Sequence, residues 1–263
     1  MSLWQTIVLA VVQGLTEFLP VSSSGHIVVA NALLTALGGE PVEDLVEVSI
    51  VLHLGTLAAV LAYYRREIAR LLTTDRNVVP LLIVGTIPAA VIGIVLKKGL
   101  DADAVLENVL LAGCCFPVTA ALLWWSSRRT PGDAHYNQLT SLGALGIGAL
   151  QAFALLPGIS RSGSTIAAGL FAGLSRESAA TFAFLLAIPA IAGAGLLESI
   201  DALKGETSGT PPMNLAIGFV VSMLVGYAAL ALLIRFVQRG QLARFAWYLV
   251  PLGAAVIAWQ LVA

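Results

Sequence analysis

Residues 19–26 read Leu19-Pro20-Val21-Ser22-Ser23-Ser24-Gly25-His26, and residues 156–165 read Leu156-Pro157-Gly158-Ile159-Ser160-Arg161-Ser162-Gly163-Ser164-Thr165. A polar break rich in Pro, Gly and Ser therefore occurs twice in an otherwise apolar chain. Backbone that leaves the helical ladder is tolerated at membrane depth only where it packs on protein or lines a cavity. The repetition predicts two broken helices that meet at one site.

The composition around these breaks is that of a polytopic membrane protein. Of the 263 residues, 58% are hydrophobic and 11% are charged, whereas soluble domains carry about 25% charged residues. No nucleic-acid partner is expected. Runs long enough to cross a bilayer lie near residues 46–63, 79–97, 106–126, 177–198, 213–235 and 245–262.

The segments that contain the breaks are different. Segments 2–37 and 139–174 each consist of two short apolar stretches around a break, and neither stretch is long enough to span. They predict re-entrant hairpins that enter and leave the membrane on the same side. The expected fold class is therefore an all-α integral membrane protein, with six transmembrane helices and two re-entrant helical hairpins in an inverted repeat.

The distribution of basic residues predicts the topology. Two hairpins and six spans place most of the 14 basic residues on one side, which we take as cytoplasmic: Arg65, Arg66, Arg70, Arg76, Arg128, Arg129, Arg176, Arg235, Arg239 and Arg244. The other side is acidic, although Lys97, Lys98 and Lys204 also fall there. Both termini then lie outside, and the single domain 1–263 divides into inverted units of roughly 1–126 and 139–263.

The first break carries the side chains best suited to chemistry. Gln13 and Glu17 are four residues apart and share a helix face, and an ionisable residue inside a membrane segment is a functional candidate. The alternative is a surface Glu near the membrane edge. His26 is a candidate base, acid or phosphate ligand, or a structural histidine at a helix start. His53 lies within an apolar span and is more typical of a packing residue.

The second break predicts an anion site. Arg161 stands between Ser160 and Ser162, with Thr165 nearby. A planar guanidinium suits phosphate, and so do hydroxyls and backbone N–H groups at a helix N-terminus. In the alternative interpretation the serines only cap a helix and Arg161 forms a structural pair with Glu17.

Two long motifs and one short segment resemble a known family. Residues 13–26, read from Gln13 to His26, and residues 157–165, read from Pro157 to Thr165, match the two signatures of the bacterial undecaprenyl-diphosphate phosphatases of the bacitracin-resistance type. The stretch from Phe182 to Pro189 resembles a third family segment, and the match runs nearly the whole length. The family's acidic motif begins with Glu or Gln, and Gln13 is the Gln variant, so this position supplies no carboxylate.

The resemblance implies a membrane enzyme that converts undecaprenyl diphosphate to undecaprenyl phosphate, the lipid carrier for peptidoglycan precursors. It implies a bacterial inner or plasma membrane location, a site open to the periplasm or outside, and a divalent cation, Mg²⁺ or Ca²⁺, bound by Glu17. A homodimer is left open. The implied site residues are Glu17, Ser23, His26 and Arg161 for catalysis, and Gln13, Ser22, Ser160, Arg161, Ser162 and Thr165 for substrate.

The attacking group and one rival function stay open. Ser23 activated by His26 or Glu17 is the nucleophile we favour, with His26 preferred, and water activated by either residue is the alternative. The rival is a lipid-phosphate or anion transporter or flippase, because inverted hairpins around a midplane anion site also serve transport. A purely structural membrane subunit would leave both polar breaks unexplained.

Overall fold

The computed structural model describes residues 1–36, 45–99, 105–202 and 210–262. Within these ranges the chain forms α-helices and two short 3-10 helices, and no β-strand, which confirms the all-α prediction. The helices are α1 Leu3–Phe18, α2 Ser23–Ala36, α3 Leu45–Tyr63, α4 Arg65–Leu71, α5 Val78–Gly99, α6 Val109–Arg128, α7 Ser141–Phe153, α8 Arg161–Phe171, α9 Arg176–Ala202, α10 Pro212–Gln238 and α11 Ala246–Val262.

The predicted membrane spans correspond to helices of sufficient length and apolarity. Among the described residues, five segments qualify, namely Val78–Leu96, Val109–Arg128, Arg176–Leu196, Pro212–Gln238 and Leu242–Val262. Helices α3 and α4 form a sixth, bent by 76°. The bend falls where the apolar run reaches Arg65 and Arg66, because guanidinium groups are costly in hydrocarbon. By length and composition the described residues therefore contain five spans, or the six predicted when the bent pair is counted as one.

Each polar break divides a hairpin of two short helices. Helix α1 begins at a capping box on Ser2 and ends before Pro20. The next helix begins only after Ser22, whose backbone is left-handed with φ of 72°. In the second hairpin, Gly158 is also left-handed, with φ of 89°, and the Ser160 hydroxyl caps α8. Helices α1 and α7 have 16 and 13 residues, too few for an upright span of about 20 residues.

The two halves of the chain interlock through these hairpins. Helix α1 packs mainly on α10, and α7 packs mainly on α5, so each hairpin leans on a helix of the other half. Both contacts are close. A Cβ added at Gly14 would lie 3.0 Å from the Ser222 carbonyl oxygen, and one added at Gly148 would lie 2.2 Å from the Gly85 carbonyl oxygen. This exchange is what an inverted repeat produces, while the division into units 1–126 and 139–263 stays a prediction.

The four basic regions share one face. The Tyr136 hydroxyl donates to Asp75 over 2.7 Å, and the Ser175 N–H donates to the Ala134 carbonyl over 3.0 Å. A Cβ at Gly240 would lie 2.7 Å from the guanidinium of Arg176. We call the surface formed by residues 65–77, 128–140, 172–176 and 235–245 the basic face. The acidic loops expected opposite it lie largely outside the described residues.

Candidate active site

The carboxylate of Glu17 is the centre of the candidate site. Its side chain is only 2% exposed. It accepts hydrogen bonds from the amide of Gln13 over 3.0 Å and from the hydroxyl of Ser23 over 2.8 Å. It also forms an ion pair and hydrogen bond with the guanidinium of Arg161, and the Nε2 atom of His53 lies 3.7 Å away. A carboxylate removed from water persists only with such donors around it.

Ser22 joins the two breaks. Its hydroxyl oxygen accepts the N–H of Gly25 over 3.3 Å and the N–H of Gly158 over 3.1 Å. The two backbones nearly touch, because a Cβ added at Gly25 would lie 2.7 Å from the Gly158 nitrogen. A left-handed non-glycine residue costs about 1–3 kcal/mol, so these contacts have to hold Ser22 in place. The prediction that the two breaks meet is therefore correct.

The hydroxyl of Thr119 forms hydrogen bonds with the backbone of the second break. This contact was not predicted from the sequence. Its hydroxyl donates to the Gly158 carbonyl over 2.8 Å and accepts the N–H of Ser160 over 3.0 Å. These bonds satisfy backbone groups that the broken helix leaves unpaired. The only sequence signal was a polar residue inside an apolar span, two positions after Pro117.

The structure brings His53, and not His26, to Glu17. The Nδ1 atom of His26 lies 2.7 Å from the Ser22 carbonyl oxygen, and its Nε2 atom lies 2.7 Å from the Tyr248 hydroxyl. Both ring nitrogens are therefore engaged away from Ser23. The pairing of Ser23 with His26 that the sequence favoured is not present, and the base within hydrogen-bond reach of Ser23 is Glu17.

The remaining predicted residues divide into two groups. Ser160 and Arg161 line the same cavity as Ser22, Ser23 and Glu17. Ser162 and Thr165 are buried and turn into the protein, where the Thr165 hydroxyl donates to the Arg161 carbonyl over 2.9 Å. The capping by Ser160 and the Arg161–Glu17 pair, both proposed in the structural alternative, are present. Because Ser160, Arg161 and Glu17 also line the cavity, these structural contacts are compatible with an anion site on the same residues.

The cavity has a volume of about 610 Å³ and an apolar wall. Helices α5 and α9 supply this wall with Ala90, Gly93, Ile94, Ala190 and Gly193 among others. Both helices start at the basic face, where the Val78 N–H bonds to Asp75 and Arg176 lies beside Gly240. These five residues lie in the second half of each helix. The cavity therefore occupies the part of the protein away from the basic face.

Two buried amides at the site have unused hydrogen-bonding capacity. The Oε1 atom of Gln13 and both amide atoms of Gln151 have no partner within the described part of the chain. Gln151 also lines the cavity. In the first hairpin Glu17 stands four residues after Gln13, whereas in the second hairpin Leu155 stands four residues after Gln151. The amide of Gln151 therefore lacks the carboxylate to which the amide of Gln13 donates.

Metal-binding capacity at the site is limited. Among the described residues, no group of three His, Cys, Asp or Glu side chains is placed to hold a metal ion. Glu17 is the acidic residue among those lining the cavity. Its neighbours offer the unpartnered Gln13 Oε1 and the Ser23 hydroxyl as further oxygens. Such a set fits Mg²⁺ or Ca²⁺ only if phosphate or water oxygens complete the shell.

Comparison with known proteins agrees with this geometry. A protein named undecaprenyl-diphosphatase from Rhodopirellula baltica is 43% identical over 98% of both chains. Another of that name from Carboxydothermus hydrogenoformans is 39% identical over 99% of this chain and 98% of its own. The family described as bacitracin resistance protein BacA matches residues 6–255, which include both breaks and every side chain around Glu17. The chain belongs to the bacitracin resistance protein BacA family.

Proposed function

We propose that this protein hydrolyses undecaprenyl diphosphate to undecaprenyl phosphate and inorganic phosphate, and so returns the lipid carrier used in peptidoglycan synthesis. The observation that carries the proposal is the placement of a hydroxyl, a carboxylate and a guanidinium in contact at one cavity, on Ser23, Glu17 and Arg161. The substrate comes from the name of the relatives.

The second break offers the anion-binding groups. Arg161 is about a third exposed, at 29%, and lines the cavity at the first position of α8. Helix α8 has 11 residues, and its N-terminus favours negative charge. A diphosphate here draws the guanidinium away from Glu17 and onto phosphate oxygens, where it offsets the charge of the transition state.

Ser23 is the nucleophile in this proposal and Glu17 is its base. The Ser23 hydroxyl gives its proton to Glu17, and its oxygen bonds to the terminal phosphorus. The bond from that phosphorus to the bridging oxygen breaks, and undecaprenyl phosphate leaves. Water then attacks the phosphorus of the phosphoserine and the bond from that phosphorus to the Ser23 oxygen breaks. Glu17 returns its proton to the Ser23 oxygen, and inorganic phosphate leaves. The Nε2 atom of His53 lies 3.7 Å from the Glu17 carboxylate.

A divalent cation fits this arrangement only if the protein and the substrate bind it together. Glu17 and the Gln13 Oε1 atom would hold Mg²⁺ or Ca²⁺, and the diphosphate would supply further oxygens. The cation would neutralise charge on the phosphates. The prenyl chain would lie along the small, apolar side chains of α5 and α9 and continue into lipid.

The orientation follows from the basic face. If that face is cytoplasmic, the cavity opens towards the outside of a bacterial inner or plasma membrane. A substrate that arrives in the outer leaflet can then place its diphosphate at Glu17 without crossing the bilayer.

The test is phosphate release from undecaprenyl diphosphate, or a shorter prenyl diphosphate, by purified protein in detergent with Mg²⁺ or Ca²⁺. We expect metal-dependent release by the wild type. Arg161→Ala removes a group that offsets transition-state charge and Glu17→Ala removes the base, so release should fall about 100- to 1,000-fold in each variant. Absence of release from well-folded wild-type protein would favour the transporter, since transport needs a sealed compartment.

A further inference from the structure

The last helix contacts the first break through the side chain of Tyr248. Tyr248 stands in the first turn of α11, 222 positions from His26 in sequence, and its hydroxyl lies 2.7 Å from the Nε2 atom of His26. The rings of Tyr248 and His26 stack with an interplanar angle of 16°, and the ring of Phe116 makes a T-shaped contact with the imidazole. The ring of His26 therefore has one orientation.

The contacts of His26 define its tautomer. A carbonyl oxygen only accepts, so the contact between Nδ1 and the Ser22 carbonyl places a proton on Nδ1. In the neutral ring Nε2 then accepts the proton of the Tyr248 hydroxyl. Both nitrogens are used, and His26 does not line the cavity that holds Ser23 and Glu17.

The hydrogen bond from the His26 ring is made to Ser22, the residue with the left-handed backbone. Ser22 is the residue before α2, and its carbonyl accepts both the N–H and the Nδ1–H of His26. Residues in this position usually have an extended backbone, whereas Ser22 is left-handed. That conformation aims the Ser22 hydroxyl at Gly158 and so joins the two breaks.

We propose that Tyr248 and His26 are positioning residues: Tyr248 fixes the His26 ring, and His26 holds the left-handed Ser22 that joins the two breaks. His26 then transfers no proton in the reaction. The inference rests on the proposed function, because the reaction it supports is phosphate release at Ser23.

Asparagine provides a direct test of His26. Its side-chain amide places an N–H close to where histidine has Nδ1, but it has no ionisable group. His26→Asn should keep release within about fivefold of wild type, with an unchanged pH profile. His26→Phe, which keeps an aromatic ring but neither ring nitrogen, removes both the hydrogen bond to the Ser22 carbonyl and the one from Tyr248; it should lose about 10- to 100-fold, the range for two hydrogen bonds lost together. Equal losses in the two variants would show that His26 acts as an acid or base, and would overturn the proposal.

Tyr248 is tested by removing its hydroxyl alone. Tyr248→Phe should lower kcat about 3- to 10-fold, the range for one neutral hydrogen bond, without moving either limb of the pH profile. The same change should have no effect when His26 is already Asn, because the acceptor is gone. Tyr227→Phe is the matched control, since that ring packs on Tyr63 and not on the breaks. A full effect of Tyr248→Phe in the His26→Asn background would contradict the proposed path.

A second measurement does not depend on activity. The chain has three histidines, so nitrogen NMR of protein labelled at histidine gives three ring spin systems, and His26→Asn identifies one of them. We expect that ring to carry its proton on Nδ1 and its signals to shift in Tyr248→Phe. A proton on Nε2 would overturn the inference. If the wild type releases no phosphate while this tautomer is present, the proposed function fails and the contact between His26 and Ser22 stands.

Discussion

Replacing Gly25 by alanine should separate the two breaks and slow the reaction strongly. The added Cβ would lie 2.7 Å from the Gly158 nitrogen, 2.8 Å from its Cα and 2.9 Å from Cε1 of Phe116. Ordinary contact begins near 3.4 Å, so the breaks have to move apart by about 0.7 Å. Two of the three obstacles are backbone atoms, which cannot rotate away.

This displacement is large on the scale of catalysis. A misplacement of about 1 Å costs about 100-fold in rate, or about 2.7 kcal/mol of activation free energy. Overpacking also lowers stability by about 1–3 kcal/mol. We therefore expect kcat/KM of Gly25→Ala to fall about 100-fold, with a modest loss of thermal stability.

Phosphate release and thermal unfolding in detergent, measured on the same preparation, test this expectation. Gly146→Ala is the matched control, because it makes the same change on α7 where an added Cβ meets nothing within 4 Å. It should keep full activity and gain a little stability, since alanine favours helix over glycine by about 1 kcal/mol. If Gly25→Ala stays within threefold of this control, close contact between the breaks is not required and the reasoning fails.

Two further predictions concern Ser23 and the basic face. Ser23→Ala should abolish phosphate release and prevent formation of a phosphoenzyme. Ser24→Ala, which removes a hydroxyl that does not contact Glu17, should keep most activity. Full activity of Ser23→Ala would exclude Ser23 as the nucleophile. On the basic face, the hydrogen bond from Tyr136 holds the pKa of the Asp75 carboxyl below its usual value of 3.8. The stability this contributes is present above that value and is lost as pH falls through the lower pKa of the folded state. Tyr136→Phe should therefore lower the free energy of unfolding by about 1.5–3 kcal/mol at neutral pH, and the difference from wild type should shrink in acid; a difference independent of pH would contradict this.

The sequence predicted those features of the site that depend on residues within the two breaks. Pro20, Pro157 and Gly158 end helices by their own backbone chemistry. An arginine and a glutamate buried in apolar sequence must find each other or another partner. The contact between the breaks was predicted on these grounds, whereas the pairing of Arg161 with Glu17 was the structural alternative to phosphate binding by Arg161.

The part that the sequence did not predict depends on which helices become neighbours. His26 was favoured because it follows Ser23 closely, but its Nδ1 atom binds the carbonyl four residues earlier. His53, Thr119 and Tyr248 reach the breaks from three other helices. A helical period shows which residues share a face, but it does not show what that face will contact.

The pair of Glu17 and Arg161 is better suited to exchange partners than to hold the fold. Even a fully enclosed ion pair adds little net stability, because desolvation of the two charges offsets most of their attraction. Here the carboxylate is enclosed, while Arg161 borders the cavity and is 29% exposed. When a phosphate takes the guanidinium, Glu17 still has the donors of Gln13 and Ser23. The carboxylate therefore remains charged and hydrogen-bonded to the Ser23 hydroxyl at the moment when the substrate arrives, which is the state a general base requires.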